Sequence, residues 1–138
     1  MSGTIVVGFV DSNEGRAATK AAADESLLRQ AQVVLVSSAR GGGHEDAQEL
    51  QAMSSAVEQA RAEMAARGVD VEVREFVRGN DPADDVLTVA QERDATLIVI
   101  GVRRRSPVGK LLLGSNSQTI LLNAECPVLA VKPSAAAG

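Results

Sequence analysis

"ATLIVIGVRRRSPVGKLLLGSNSQ", residues 95–118, decides how the chain is read. Residues 95–101 form a short apolar run ending in glycine, the pattern of a buried strand. Three arginines follow, and Gly114-Ser115 then introduces a short helical pattern from Ser115 to Asn123. A strand, a glycine-marked loop and a helix in this order place unpaired N–H groups and the positive end of a helix where an anion can sit.

Four more segments read as strands: "TIVVGFV" at 4–10, "QVVLVSSA" at 32–39, "VDVEVREFV" at 69–77 and "PVLAVK" at 127–132. The third alternates apolar and polar residues and suits a sheet edge, whereas 95–101 is the most apolar and suits the centre. Helical patterns fill the intervals. Residues 13–30 are alanine-rich, with Ser12 or Asn13 as N-cap. Residues 46–67 carry a stripe of Leu50, Met53, Val57, Ala60 and Met64, with Asp46 and Glu49 as a capping box and Gly68 to end the helix. Asp81-Pro82 opens a third helix with proline at its first position.

Strand and helix alternate throughout, which predicts an α/β fold: a five-stranded parallel sheet with helices on both faces. Right-handed crossovers and the doubly wound, Rossmann-like order 3-2-1-4-5 put strands 1 and 4 side by side at the switch point. Ligands bind such sheets outside the C-terminal strand ends at that crevice. The loops that meet there begin at Asp11 and at Gly101.

The 138 residues suit one domain, 1–138, with 134–138 as a frayed tail. No apolar run reaches the length of a membrane span, and the N-terminus lacks a signal-peptide pattern. Cytoplasmic placement, with no membrane partner, is the expectation. The single cysteine, Cys126, fits a reducing compartment and reads as a small buried hydrophobe rather than a nucleophile. Arg103, Arg104, Arg105 and Lys110 concentrate positive charge in a chain whose net charge is −4, so the remainder is strongly acidic. Nucleic acid is therefore not an expected partner, and with Phe9 and Phe76 as the only aromatics there is no base-stacking platform. His44, the only histidine, lies in a glycine-rich loop without neighbouring ligands, which argues against a metal site.

The loop is not a Walker A motif: Gly109-Lys110 is followed by Leu111, and Arg104 stands where the first glycine belongs. A different spacing does match. Gly101, two residues, Arg104, nine residues and Gly114-Ser115 resemble the G-x2-G-x9-G-[ST] motif of nucleotide-binding members of the universal stress protein family, with arginine in place of the second glycine. "IVVGFVDSNEGRAA", "RDATLIVIG" and "GKLLLGSNSQTILLNAECPVLAVK" extend the resemblance over nearly the whole chain.

The resemblance implies a fold of the adenine nucleotide alpha hydrolase type, and ATP or another adenine nucleotide as ligand, with Mg only alongside ATP. It places Phe9, Val10 and Ser38 near the base and Asp11 at the ribose or adenine. Read from the residues alone, Phe9 and Val10 are core and Asp11 caps the first helix. Gly101 leaves the strand exit without a side chain, and Gly114, Ser115, Asn116 and Ser117 form the anion-binding helix start. Arg103 and Arg104 are candidates to clasp phosphate oxygens, and Arg104 is equally a candidate to fill the pocket. The family also implies a homodimer through the edge of strand 5. The function expected is a cytoplasmic stress protein with an adenine nucleotide as regulatory ligand and an unidentified regulatory protein partner. The alternatives are a nucleotide-free adaptor and, with no catalytic residue assigned, a slow ATPase.

Overall fold

The computed structural model describes residues 3–39, 47–77, 80–103 and 113–133. Their elements run β1 (Thr4–Gly8), α1 (Asn13–Arg29), β2 (Gln32–Ser38), α2 (Ala47–Ala66), β3 (Val71–Phe76), α3 (Pro82–Glu92), β4 (Leu97–Gly101), α4 (Ser115–Asn123) and β5 (Val128–Val131). The strands form one five-stranded sheet in the order β3-β2-β1-β4-β5. Every pairing is parallel. β3 lies at an edge as its alternation predicts. β4 is interior, but β1 holds the centre.

Strand alternation assigns the two faces. Ile5, Val7, Val33, Leu35, Leu97 and Val99 face the core shared with α1 and α2. Val6, Val34, Val36, Ile98 and Ile100 face the core shared with α3 and α4. Both faces are covered, so β1, β2 and β4 are apolar at successive positions rather than alternating. The stripe foreseen on α2 holds in graded form: Val57, Ala60 and Met64 are buried, while Leu50 and Met53 are only half-buried.

Helix ends follow local chemistry. The Ser12 hydroxyl caps α1 by accepting the Gly15 N–H at 3.1 Å. Gly68 adopts φ +89° after α2, the left-handed turn that glycine makes without strain. Pro82 stands at the start of α3, but the Asp81 side chain makes no cap bond. Asn116 of α4 supplies it instead, its Oδ1 accepting the Ala83 N–H at 3.1 Å. Asp46, the other half of the expected capping box on α2, lies outside the described residues.

The start of α1 is pressed against the exit of β4. A Cβ on Gly101 would lie 2.1 Å from the Glu14 carbonyl oxygen, and one on Gly15 would lie 1.7 Å from the Val10 carbonyl oxygen. These contacts are backbone, which cannot swing aside, so both glycines are required by packing. The Arg103 Nε donates to the Glu14 carboxylate just beyond. That hydrogen bond is the main reason the Glu14 carboxyl falls from 4.5 to about 2, with a bond to its own backbone N–H assisting.

Two outcomes follow. Gly101→Ala is expected to lose about 2 kcal/mol or more of stability in urea unfolding. Gly114→Ala, where a Cβ meets nothing within 4 Å among the described residues, is expected to stay within about 0.5 kcal/mol of the parent. For Glu14 the folded-state pKa is depressed, so its contribution is present above pH 4.5 and is lost as pH falls toward about 2. Because Arg103 is half exposed, solvent screening reduces that contribution to about 1 kcal/mol. Glu14→Gln should therefore be less stable than the parent by about that amount at pH 7, and the gap should narrow in unfolding curves taken near pH 3. A gap that stays constant between the two pH values rejects the assignment.

Candidate functional site

The switch point lies between β1 and β4, which pair through Ile5↔Leu97, Val6↔Ile98 and Val7↔Val99. Beyond β1 the chain continues extended for one residue, with the Phe9 N–H donating to the Val36 carbonyl at 2.8 Å. Phe9 is buried in the α1–α2 core, as its residue type suggests. Val10 is not core: it is 53% exposed. Past the sheet its side chain has no covering helix, since the chain turns at Val10–Ser12 to begin α1. Asp11 is not the helix cap either; Ser12 holds that position, and Asp11 instead pairs with Arg16 at 3.1 Å. Both of those groups are solvent-exposed, which makes the pair weak.

At the other side of the crevice α4 starts at Ser115 with Gly114 as its N-cap, and Gly114 makes no side-chain cap bond. The first intrahelical bond runs from the Gln118 N–H to the Gly114 carbonyl at 3.0 Å. The N–H groups of Ser115, Asn116 and Ser117 therefore have no acceptor within the helix. Ser115 and Asn116 are exposed and Ser117 is half-buried. Gly114 has an ordinary φ of −68° and open space around it, so neither strain nor packing among the described residues calls for glycine there. A small residue at an open helix start leaves room for a ligand to approach the backbone.

Two connections tie this end to the end of β2. Asn116 caps α3, as described. In the same first turn of α3, Asp85 is buried, and the Ser38 hydroxyl donates to its Oδ2 at 2.7 Å. In the sequence Asp85 reads as one more acidic residue in a helix first turn. Its partner lies 47 residues away, so no local pattern marks it.

The expected site residues thus separate into two groups. Ser38, Asn116 and the start of α4 are joined through α3. Phe9 and Asp11 line a groove of about 500 Å³ between α1 and α2, which also includes Lys20, Gln59 and Met64. Gly101 is turned toward α1 by the Glu14 contact and is committed to packing. Arg103 is described and its charge is engaged by Glu14. Arg104, Arg105 and Lys110, and with them the clasp-or-fill question, lie outside the described residues, as does His44. Cys126 is half-buried and packs beside the α3–α4 core, and burial pushes its thiol above the usual range, away from nucleophilic use. Among the described residues no helix is long and apolar enough to cross a membrane.

The comparisons with known proteins agree with this architecture. The family model described as "Universal stress protein family" matches residues 1–132. A universal stress protein of Mycolicibacterium smegmatis is 41% identical over 129 residues, covering 94% of this chain and 97% of its own. The structure of a universal stress protein from Archaeoglobus fulgidus superposes with a TM-score of 0.83 at 34% identity, covering 96% of this chain and all of the other. The structure of the universal stress protein from Archaeoglobus fulgidus in complex with dAMP superposes with a TM-score of 0.75 at 28% identity, covering 96% of this chain and 98% of the other. With sheet order, strand–loop–helix crevice and sequence in agreement along nearly its whole length, the chain belongs to the universal stress protein family.

Proposed function

We propose that this protein binds an adenine nucleotide in the crevice above the C-terminal ends of β1 and β4, and uses it as a regulatory ligand. The observation that carries this reading is the start of α4, which among the described residues has no side-chain cap and open space at Gly114. A phosphate there would accept from the N–H groups of Ser115, Asn116 and Ser117, with the helix dipole favouring its charge. The hydroxyls of Ser115 and Ser117 add donors. The base and sugar would lie toward exposed Val10, Asp11 and Ser38, where apolar surface and hydroxyl are both on offer. A universal stress protein with this fold is known in complex with dAMP, which supports an adenine nucleotide as the ligand class. Mg would enter only with ATP, on its phosphate oxygens. No side chain in this assignment activates water, so hydrolysis is slow and incidental.

In the same proposal the protein is cytoplasmic and dimerises through β5, whose outer edge has no neighbouring strand among the described residues. Nucleotide would then bias a surface read by a protein partner. A second reading, a nucleotide-free adaptor, is favoured by one observation: the Arg103 charge already has a partner in Glu14 and is not on offer to a phosphate.

The readings part in a direct measurement. Denatured, freshly purified protein is expected to release an adenine nucleotide detectable by mass spectrometry, and calorimetry is expected to show binding. Gly114→Ala, though neutral for stability, should weaken affinity by about tenfold because the added Cβ occupies the approach to the α4 N–H groups. Arg104→Ala lowers affinity if that residue clasps phosphate, and Arg104→Gly raises it if it fills the site. No released nucleotide together with no heat in millimolar ATP overturns the nucleotide reading in favour of the adaptor.

A further inference from the structure

We propose that the groove between α1 and β5 is a docking surface for an acidic segment of a partner protein, one that also carries apolar side chains. This gives a place and a chemistry to the protein partner in the function proposed above, rests on that part of it alone, and does not depend on the nucleotide.

β5 is an outermost strand of the sheet. Its Leu129 and Val131 are in register with Val99 and Gly101 of β4, and Val99 faces the α1–α2 core. Leu129 and Val131 therefore point to that same face. Val99 is fully buried there, whereas Leu129 is 36% exposed and Val131 is half-buried. The α1 side chains beside Val131 are Ala17 and Ala21, which end at Cβ and are too short to cover the strand. The result is a groove of about 500 Å³ with an apolar lining of Ala17, Ala21, Val131 and Pro133. It opens on the side-chain face of β5, whereas the proposed dimer uses the backbone groups of its edge.

Each wall of the groove carries an exposed lysine, Lys20 on α1 and Lys132 just after β5. Among the described residues neither has a carboxylate partner. The other charges in the lining are already matched: Arg16 pairs with Asp11 at 3.1 Å, and Asp24 with Arg67 at 2.7 Å. The groove thus keeps two unmatched positive charges in a chain of net charge −4. An acidic segment supplies the complement, and its apolar side chains remove the floor from water. An anionic membrane suits the site less well, because the floor lies between two walls and the body of the protein is acidic. Nucleic acid has the charge but no apolar side chain for the floor. From Asn13 to Asp24 the α1 wall runs about 16 Å, room for about three turns of a helical segment.

The test is fluorescence anisotropy of a labelled peptide titrated with the full chain. The peptide has about 11 residues, the length that the wall admits, with leucine along one helical face and glutamate elsewhere. Binding is expected, and should weaken with added salt. Lys20→Gln and Lys132→Gln should each weaken it by about two- to fivefold, and together by about tenfold, the size of two solvent-exposed ion pairs. Ala21→Glu, which puts bulk and negative charge on the floor, should abolish it. In Lys20→Glu combined with Lys132→Glu the preference should invert, so that a peptide with lysine in place of glutamate binds instead. Arg61→Glu, on α2 outside the groove, changes the net charge by as much as one lysine reversal and should leave affinity unchanged. Thermal unfolding of each variant checks its fold; should Ala21→Glu fail to fold, the exposed lysines decide. No binding of the leucine–glutamate peptide at millimolar concentration, equal binding of the lysine peptide by the parent, or an equal loss in Arg61→Glu overturns the inference. Binding of the parent to phosphatidylglycerol vesicles in place of the peptide also overturns it. Nucleotide binding, read separately by calorimetry, is untouched by any of these outcomes.

Discussion

The contact between Gly101 and the backbone of Glu14 sets the geometry on which the rest of the molecule depends. The start of α1 lies so close to the exit of β4 that a Cβ would stand 2.1 Å from a carbonyl oxygen. Gly15 makes the reciprocal concession, letting α1 turn under the Val10 carbonyl. These two glycines bring the loops after β1 and β4 together over the switch point. The ion pair of Glu14 with Arg103 then closes the same seam from the side-chain level, at the first residues of the arginine segment. A glycine that the motif spacing places at a ligand is thus needed first by the fold. A glycine's presence in a motif does not by itself identify a ligand contact.

Gly114 is the counterpart. It has ordinary dihedral angles and open surroundings, so nothing in the described protein requires it. The two glycines of one motif therefore do different physical work: one lets two pieces of backbone meet, and the other leaves space beside N–H groups that have no acceptor within their own helix. Between them, α3 acts as a spacer. Its first turn takes a cap from Asn116 and gives Ser38 a buried carboxylate. The end of β2 and the start of α4 are thereby joined through a single turn of α3. The cap is notable for its origin: the Asp81 side chain at the N-cap of α3 makes no bond to its own helix, and a side chain from another element caps it.

Much of this was legible in advance. Continuous apolar runs at β1, β2 and β4 require burial on both faces, and only a parallel sheet between two helix layers provides it. The strand order followed, because the alternation of elements and the handedness of crossovers leave few arrangements. Gly68 as a left-handed stop and Pro82 as a helix start are readable because each acts on neighbours within a few residues, whereas the cap of α1 is narrowed from Asp11, Ser12 or Asn13 to Ser12 by the structure. Strand limits were read one to three residues too long, since apolar residues continue past the last ladder bond into the turns. Val10 is the case in point: an apolar residue after a buried strand reads as core, yet past the C-terminal end of β1 it is more than half exposed.

The sequence by itself thus determined the family, the sheet order and the place of the crevice, because periodicity, turn chemistry and motif spacing are properties of neighbouring residues. Only the tertiary structure decided which side chains meet there. Arg103 finds Glu14 across 89 residues, Asn116 finds Ala83 across 33 and Ser38 finds Asp85 across 47. In each pair one residue is a site candidate in the sequence, but no local pattern names its partner. Charge and hydrogen-bonding capacity are written in the chain, but their partners are chosen by the packing of helices on a sheet, and that choice is made in three dimensions.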